Sequence, residues 1–287
     1  MKTKLYIKTA FVALVSMASL SSCLKDDKHY VDFAAATPLI ELPAATAVGA
    51  LGGVLQAAAL DISTTPVPIN LLVNLAAPHT LSSAVTVKVS VDQAALTKYN
   101  TDNGKSFVLL PAADYSSTFT ATIAANANQA YVVINVKSNL IDPSITNYAL
   151  PLTITDGGGQ QISNYKTVIY NVQAKNAYDG AYTQNGSITF PDGTGRSWVN
   201  RAKTLTTINA NTCIAEAADL ATSGFTMYLK VNTDNTVTVT PAPASANQTI
   251  QGNGTNTYDP TTKTFSLHYK YVGGTGDRVI VETLKRN

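Results

Sequence analysis

The sequence is poor in cysteine, histidine, tryptophan and charge. Two cysteines, three histidines and one tryptophan occur among 287 residues, and charged residues make up 13%. Two cysteines cannot build the multi-bridge framework of a small secreted domain, and the scattered histidines show no metal-ligand spacing. With so few charged residues, the sequence does not show the strongly basic surface that is typical of a nucleic-acid-binding protein. The composition therefore favours neither a metal site nor nucleic acid as a partner, and we expect no cofactor.

A long hydrophobic run is also missing. The most apolar segment, Thr9–Leu20, is shorter than the ~20 residues that a membrane-spanning helix needs. It follows a basic start, MKTKLYIK, and is followed by small residues. This order of regions predicts a secretory signal peptide over residues 1–22. The chain that remains after its removal has one more acidic than basic residue.

The residues Leu20-Ser21-Ser22-Cys23 resemble the lipobox of bacterial lipoproteins. The resemblance implies that Cys23 is lipidated and becomes the first mature residue. Several acyl chains, at about 0.8 kcal/mol per buried CH₂, would anchor the protein stably. Cys213 is then left without an intramolecular partner. Its apolar neighbours Ile214 and Ala215 favour a buried, inert thiol over a reactive one.

Charges follow the lipobox at once, in Lys25, Asp26 and Asp27. They resemble a lipoprotein export signal, which implies the outer face of an outer membrane; the alternative is a solvated tether that carries charge. Residues 23–37 show no clear periodicity and are interpreted as this flexible tether. We therefore expect a lipid-anchored protein that faces the cell exterior.

Alternation with a period of two governs the next part of the chain, residues 38–173. In SAVTVKVSVD the valines share one face and the polar residues the other, and STFTATIA, YVVINVKS and KTVIYNVQ repeat the pattern. Such half-buried strands, separated by Gly, Asn and Pro, predict an antiparallel β-sandwich. One short helix interrupts them: Asp92 is a suitable cap for Gln93–Tyr99, and Gly104 lies past the helix end.

A second series of strands fills residues 174–287. Phe225, Met227, Leu229 and Val231 share one face, and a turn at 233–235 leads into the next alternating strand. The pattern predicts a second all-β module, and it fits a sandwich and a small barrel equally. Tyr269 and Tyr271 share a face with Phe265 and are assigned to the core, whereas Tyr228 lies on the polar face of its strand.

Longer segments of the chain carry a family resemblance. VDQAALTKYNTDNGKSFVLLPAADYS, TIAANANQAYVVINV and NYALPLTITDGGG resemble a domain of unknown function in Sus-type surface lipoproteins. That domain is immunoglobulin-like and also precedes the barrel of some family-18 surface endo-β-N-acetylglucosaminidases. The resemblance implies an immunoglobulin-like fold, a surface location and a setting in glycan capture. The enzymes' catalytic barrel is absent here.

Aromatic faces and polar rims are the usual elements of a sugar site. Trp198 lies in the polar, Gly-rich segment PDGTGRSWVNRAK, close to Arg196 and Arg201. We take Trp198, Arg196, Arg201 and Tyr228 as candidate glycan-binding residues. Trp198 is either an exposed platform or a plug at the end of the β module, and the sequence does not choose between them.

Function is predicted from these features together. The favoured hypothesis is that the protein is a non-catalytic surface lipoprotein, which assists the capture of oligo- or polysaccharides for an outer-membrane transporter. The first alternative is a structural or adhesive protein that binds protein partners, such as the transporter's lipoprotein lid. The second is a glycoside hydrolase whose two carboxylates are brought together only by folding. The identity of the glycan and the oligomeric state are left open.

Overall fold

The computed structural model describes residues 36–46 and 54–287. These residues form three β-sheets and one α-helix, which confirms the predicted all-β class. The predicted signal peptide, Cys23 and the charged residues Lys25, Asp26 and Asp27 lie outside the described residues. Lipidation and export therefore stay predictions from the sequence.

The first two sheets form a sandwich. Their strands are β1 (Leu39–Glu41), β2 (Leu55–Asp61), β3 (Val67–Ala76), β4 (Val85–Val91), β5 (Val108–Leu109), β6 (Tyr115–Ser116), β7 (Thr120–Ile123), β8 (Gln129–Val136), β9 (Tyr148–Asp156), β10 (Gln161–Ile162) and β11 (Thr167–Lys175). One sheet has the order β10-β1-β3-β8-β6, and the other has the order β2-β11-β9-β4-β7 with β5 beside β9. Apolar side chains from both sheets meet in one core.

The predicted alternation places the right residues in this core. Val87 on β4 and Ile134 on β8 are completely buried, and both come from segments whose pattern indicated an apolar face. Three strand pairs nevertheless run parallel, namely β1 with β10, β2 with β11, and β5 with β9. The expectation of a purely antiparallel sandwich is wrong at these pairs. Each joins strands that are far apart in sequence, as parallel pairing requires.

The helix α1 (Gln93–Asn103) covers the outer face of the six-stranded sheet. Leu96 on the helix packs with Leu55, Ala149 and Ile169, which makes a small second core. Strand β11 is therefore buried on both faces, and Ile169 is almost completely buried although alternation put it on the polar face. Gly104 ends the helix with a φ of 59°, in the left-handed region that glycine adopts freely.

Asp92 caps α1 as the sequence predicted, and its loss should be measurable. Its Oδ1 accepts a hydrogen bond from the Ala95 amide, and its Oδ2 accepts one from the Thr153 hydroxyl, both at 2.9 Å. We expect Asp92→Ala to lower the free energy of unfolding by about 1–2 kcal/mol in urea denaturation. The control is Asp102→Ala, which removes only the exposed pair with Lys98 and should cost less than about 0.5 kcal/mol. Equal costs for the two variants would contradict the capping role.

The third sheet contains the remaining strands. These are β12 (Gly180–Thr189), β13 (Gly195–Asn209), β14 (Thr212–Glu216), β15 (Thr226–Val231), β16 (Val237–Pro241), β17 (Gln251–Gly252), β18 (Thr257–Asp259), β19 (Thr264–Gly273) and β20 (Gly276–Arg286). Five short 3₁₀ turns occur in the described chain, at Pro43–Thr46, Ala112–Asp114, Ser138–Leu140, Ala221–Ser223 and Pro243–Ser245. Strand β11 extends two residues past the predicted module boundary at 173/174, and that boundary stays a prediction.

This sheet curls into a nearly closed barrel. Its strands follow the order β16-β15-β14-β13-β12-β20-β19-β17, with β18 also paired to β19. The two edges then meet, because the Val237 amide donates to the Asn256 carbonyl at 2.8 Å and the Tyr258 amide donates to the Asn235 carbonyl at 2.9 Å. Of the two architectures that the sequence left open, the small barrel is the one observed. Closure also protects sheet edges that would otherwise be exposed.

Candidate functional site

Trp198 does not form an exposed platform. Its side chain lies inside the barrel with only 8% of the residue exposed. Trp198 lies near the start of strand β13, just after a turn, and pairs with Gly186 of β12. A Cβ atom at Gly186 would lie 2.7 Å from Trp198 Cζ2, so the missing side chain makes room for the indole. Of the two alternatives that the sequence left open for Trp198, the structure shows the tryptophan that fills the barrel.

The two candidate arginines lie beside Trp198 and are both paired with acids. The Arg196 guanidinium binds both carboxylate oxygens of Asp219, at 2.7 and 2.8 Å. That contact raises the pKa of Arg196 and lowers the pKa of Asp219. The Arg201 guanidinium donates to Glu216 Oε2 at a longer distance of 3.3 Å. The structure thus brings Trp198, Arg196 and Arg201 together on one half of β13.

Tyr228 lies elsewhere. It is on β15, between the buried residues Met227 and Leu229, and its own side chain points to the outer face of the barrel. The prediction that Tyr228 faces away from the core is confirmed. The four candidate residues therefore do not form one site, because Trp198 points inward and Tyr228 points outward.

A break in the barrel wall lies next to Trp198. Strand β13 pairs with β14 only between Thr206–Asn209 and Thr212–Ile214, whereas it pairs with β12 from Gly195 to Leu205. Along Gly195–Leu205 the second edge of β13 therefore has no partner in β14. The ion pairs Arg196–Asp219 and Arg201–Glu216 cross this break in place of backbone hydrogen bonds. We call the break, with these two ion pairs, the seam.

A buried ion pair lies inside the barrel behind the seam. Lys203 Nζ contacts Glu282 Oε2 at 2.9 Å, and both side chains are completely inaccessible to solvent. The Tyr269 hydroxyl donates to Glu282 Oε1 at 2.8 Å and accepts a hydrogen bond from the Ala218 amide. Burial, followed by the charge of Glu282, raises the pKa of Tyr269 well above 10, so the phenol keeps its proton. This network holds the inward charges in fixed positions.

Two buried polar atoms at the seam have no hydrogen-bond partner among the described residues. They are Oε1 of Gln184 and Nε1 of Trp198. Gln184 is completely buried and uses its Nε2 to contact Glu216 Oε1 at 3.3 Å. A buried polar group without a partner costs about 1–3 kcal/mol, so such atoms are uncommon in native proteins. Their presence beside a break in the wall makes the seam the candidate functional site.

Sequence reasoning missed Gln184, Lys203, Glu216 and Glu282, although one signal was available. In RVIVETL, Glu282 alternates with Ile280 and Leu284, so a charge occupies a core-facing position. Lys203 likewise lies two residues before the buried Leu205. A charge at an inward position of a strand indicates a buried partner, because an unpaired charge there is very costly. The partner itself could not be found from the sequence.

Cys213 is buried, as its apolar neighbours indicated. It is the free cysteine of the described chain, it is inaccessible to solvent, and its thiol contacts Asn176 Oδ1 at 3.2 Å. Burial raises the pKa of the Cys213 thiol to about 12. The thiol therefore stays protonated at physiological pH, which makes it a poor nucleophile.

The cavities of the described residues include two that lie away from the seam. One of about 260 Å³ lies between the segment with Pro143 and Thr146 and the outer face of β13 at Thr204 and Thr206. The other, of about 240 Å³, lies beside α1 at Lys98. Neither contains one of the buried polar atoms without a partner. Within residues 36–46 and 54–287, no group of three acidic, histidine or cysteine side chains is placed to hold a metal ion. The helix of the described chain is not long and apolar enough to cross a membrane.

The fold and the seam define a two-domain, all-β protein with a sandwich followed by a barrel. Two family models match it: one for an N-terminal domain over residues 54–161 and one for a C-terminal domain over residues 166–285. The resemblance noted from the sequence is thereby confirmed at the level of its domains. No curated protein sequence matches the chain.

Solved structures from Bacteroides share this fold. A protein of unknown function from Bacteroides ovatus is 17% identical with a TM-score of 0.59, and the match covers 87% of this chain and 94% of that one. A multidomain protein of B. ovatus that includes DUF1735 is 16% identical with a TM-score of 0.57, covering 86% and 93%. An auxiliary nutrient binding protein from Bacteroides thetaiotaomicron is 16% identical with a TM-score of 0.52, covering 90% and 94%. At these identities the likeness establishes the fold.

Proposed function

We propose that the protein is a non-catalytic, lipid-anchored surface protein that helps to capture glycans for a Sus-type outer-membrane uptake system. The observation that carries the proposal is the seam, where two buried hydrogen-bonding atoms without partners lie beside a stretch of β13 that β14 does not pair with. The same two-domain fold occurs in an auxiliary nutrient binding protein, which supports a role in nutrient capture. The lipobox at Cys23 supports anchoring.

The inward carboxylates argue for binding rather than catalysis. Glu282 is held by Lys203 and Tyr269, and Glu216 is held by Arg201 and Gln184. Glycoside hydrolysis needs one carboxyl group that donates a proton and a second that acts as nucleophile or base at the same bond. Because Glu282 is completely buried and bound to protein side chains, it is poorly placed to reach such a bond.

Tethering makes weak binding sufficient. A Kd near 0.1 mM corresponds to only about −5.5 kcal/mol, which a few hydrogen bonds and one aromatic contact can supply. Anchoring through Cys23 would hold many copies at the membrane, and a polymer bound by several of them dissociates slowly. The expected partners are therefore an oligo- or polysaccharide and the neighbouring transporter or its lid.

Two experiments test this function. Cells that express the protein should incorporate radioactive palmitate into it, a Cys23→Ala variant should not, and protease added to intact cells should degrade the anchored form. In affinity electrophoresis, the purified protein should migrate more slowly in gels that contain a recognised polysaccharide from a host and dietary panel. Absence of both labelling and retardation would refute the proposal.

The two alternative hypotheses predict different results in further experiments. An adhesive or structural protein should recover a stoichiometric protein partner from solubilised outer membranes while retaining no glycan. A glycoside hydrolase should instead release products from labelled glycans. Retention of glycan without product release is the result that we expect.

A further inference from the structure

We propose that the seam binds a single neutral sugar unit through paired hydroxyl groups, between Gln184 and Trp198. This inference rests on the proposed function and deepens it, because it assigns the place and chemical class of the ligand. The two atoms without partners have opposite needs: Gln184 Oε1 can only accept a hydrogen bond, and Trp198 Nε1 can only donate one. A hydroxyl group both donates and accepts, so a ligand with neighbouring hydroxyl groups satisfies both atoms.

The charges at the seam favour a neutral ligand. Arg196 is paired with Asp219, Arg201 with Glu216, and Lys203 with Glu282. Each of these three cations already has its own carboxylate, so the three pairs together add no net charge beside Gln184 and Trp198. Burying a charged ligand there would carry a desolvation cost without a free counter-charge to offset it. A neutral sugar avoids that cost.

Access to the two atoms depends on the looser of the two ion pairs that cross the seam. Arg196 holds Asp219 by two hydrogen bonds of 2.7 and 2.8 Å, within the usual range for charge-assisted contacts. The contacts that Glu216 accepts from Arg201 and from Gln184 are both 3.3 Å long. The Arg201 side chain is also 34% exposed. Movement of Arg201 and Glu216 therefore opens the path to Gln184 with the least loss of bonding, and their polar groups then border the ligand.

The ligand must be small. The ladder between β13 and β14 resumes at Thr206 and Ile214, and the Arg196–Asp219 pair crosses the other end of the seam. The Trp198 ring lies over Gly186 on the neighbouring strand. Both target atoms are buried, so a ligand must enter the wall to reach them, and a single sugar unit, free or at the end of a chain, meets that requirement. An internal stretch of polysaccharide does not.

The chain contains one tryptophan, so its fluorescence reports directly on this site. The purified full chain in a sugar-free detergent is titrated with glucose, galactose, mannose and N-acetylglucosamine. We expect at least one of these sugars to change the tryptophan emission saturably, with a Kd on the order of 1 mM. Galacturonate and inorganic phosphate should give a weaker response than that sugar. Absence of a saturable change with all four neutral sugars would overturn the inference.

Variants then locate the binding. Gln184→Leu keeps the approximate shape of the side chain and removes the acceptor, and it should raise the Kd at least about tenfold. Val199→Thr changes the exposed neighbour of Trp198 and should leave the Kd unchanged. Thermal melting checks that both variants fold. An unchanged Kd in folded Gln184→Leu would place the sugar elsewhere and refute the site.

A crystal of the wild-type protein soaked in the responding sugar gives a second test that does not depend on any variant. Sugar hydroxyl groups within hydrogen-bond distance of Gln184 Oε1 and Trp198 Nε1 are expected. A water molecule alone on these atoms would refute the inference. Retention of polysaccharide in affinity electrophoresis together with silent fluorescence would refute the seam site and leave the proposed function standing. Failure of every glycan in the electrophoresis panel would instead count against the function.

Discussion

Replacement of Lys203 by methionine should lower the free energy of unfolding by about 3–5 kcal/mol. The variant removes the cation from a pair whose two side chains are inaccessible to solvent, so the Glu282 carboxylate stays buried without its counter-charge. Tyr269 still donates a hydrogen bond to Glu282, but one neutral donor does not replace the ammonium group. Urea denaturation followed by circular dichroism measures the change.

The matched controls separate burial from the loss of an ion pair as such. Lys98→Met removes the exposed pair with Asp102 on α1 and should cost less than about 1 kcal/mol. The double variant Lys203→Met with Glu282→Leu removes both buried charges and should recover much of the stability lost in the single variant. If Lys203→Met is as stable as Lys98→Met, the Lys203–Glu282 pair is accessible to water, contrary to the structure.

Replacement of Gly186 by alanine should destabilise the barrel by about 1–3 kcal/mol. The added methyl group would lie 2.7 Å from both Glu282 Cβ and Trp198 Cζ2, and 2.8 Å from the Val281 carbonyl oxygen. Since that oxygen belongs to the backbone of the neighbouring strand, the indole and the strand must both shift. Urea denaturation gives the stability, and the emission wavelength of Trp198 should move toward the red as its surroundings become more polar.

Gly274→Ala is the control for this prediction. A Cβ atom at Gly274 would meet nothing within 4 Å, so the substitution should be close to neutral for both stability and emission. If Gly186→Ala behaves in the same way, the indole does not pack over Gly186, and the placement of Trp198 inside the barrel is wrong.

The strands and the helix were predictable because their signals are local. Alternation in Val132–Val136 and Met227–Val231 fixed the buried face of each strand, and Asp92 with Gly104 marked the helix ends. The alternation of apolar and polar residues depends only on a strand having one solvent-exposed face and one buried face. It therefore holds equally in a sandwich and in a barrel, which is why the sequence could not choose between the two for residues 174–287.

The candidate site was less predictable because it depends on contacts between distant strands. Trp198 was expected near Arg196 and Arg201, and this proximity is local and correct. Its inward direction depends on Gly186, on a neighbouring strand, and on the irregular backbone between them, where the register shifts and Asn200 has a φ of 54°. A shift of one residue turns a side chain to the opposite face.

The order of the barrel strands sets the time at which the C-terminal domain can form. β12 is the first of its strands in the chain, yet it pairs along nearly its whole length with β20, the last. The ion pair between Lys203 and Glu282 likewise forms only when β20 has been synthesised and has paired. During synthesis the apolar faces of the earlier strands stay uncovered until the final hairpin docks. A barrel that closes through such long-range contacts folds slowly, and its uncovered apolar strands are prone to aggregation until β20 pairs with β12.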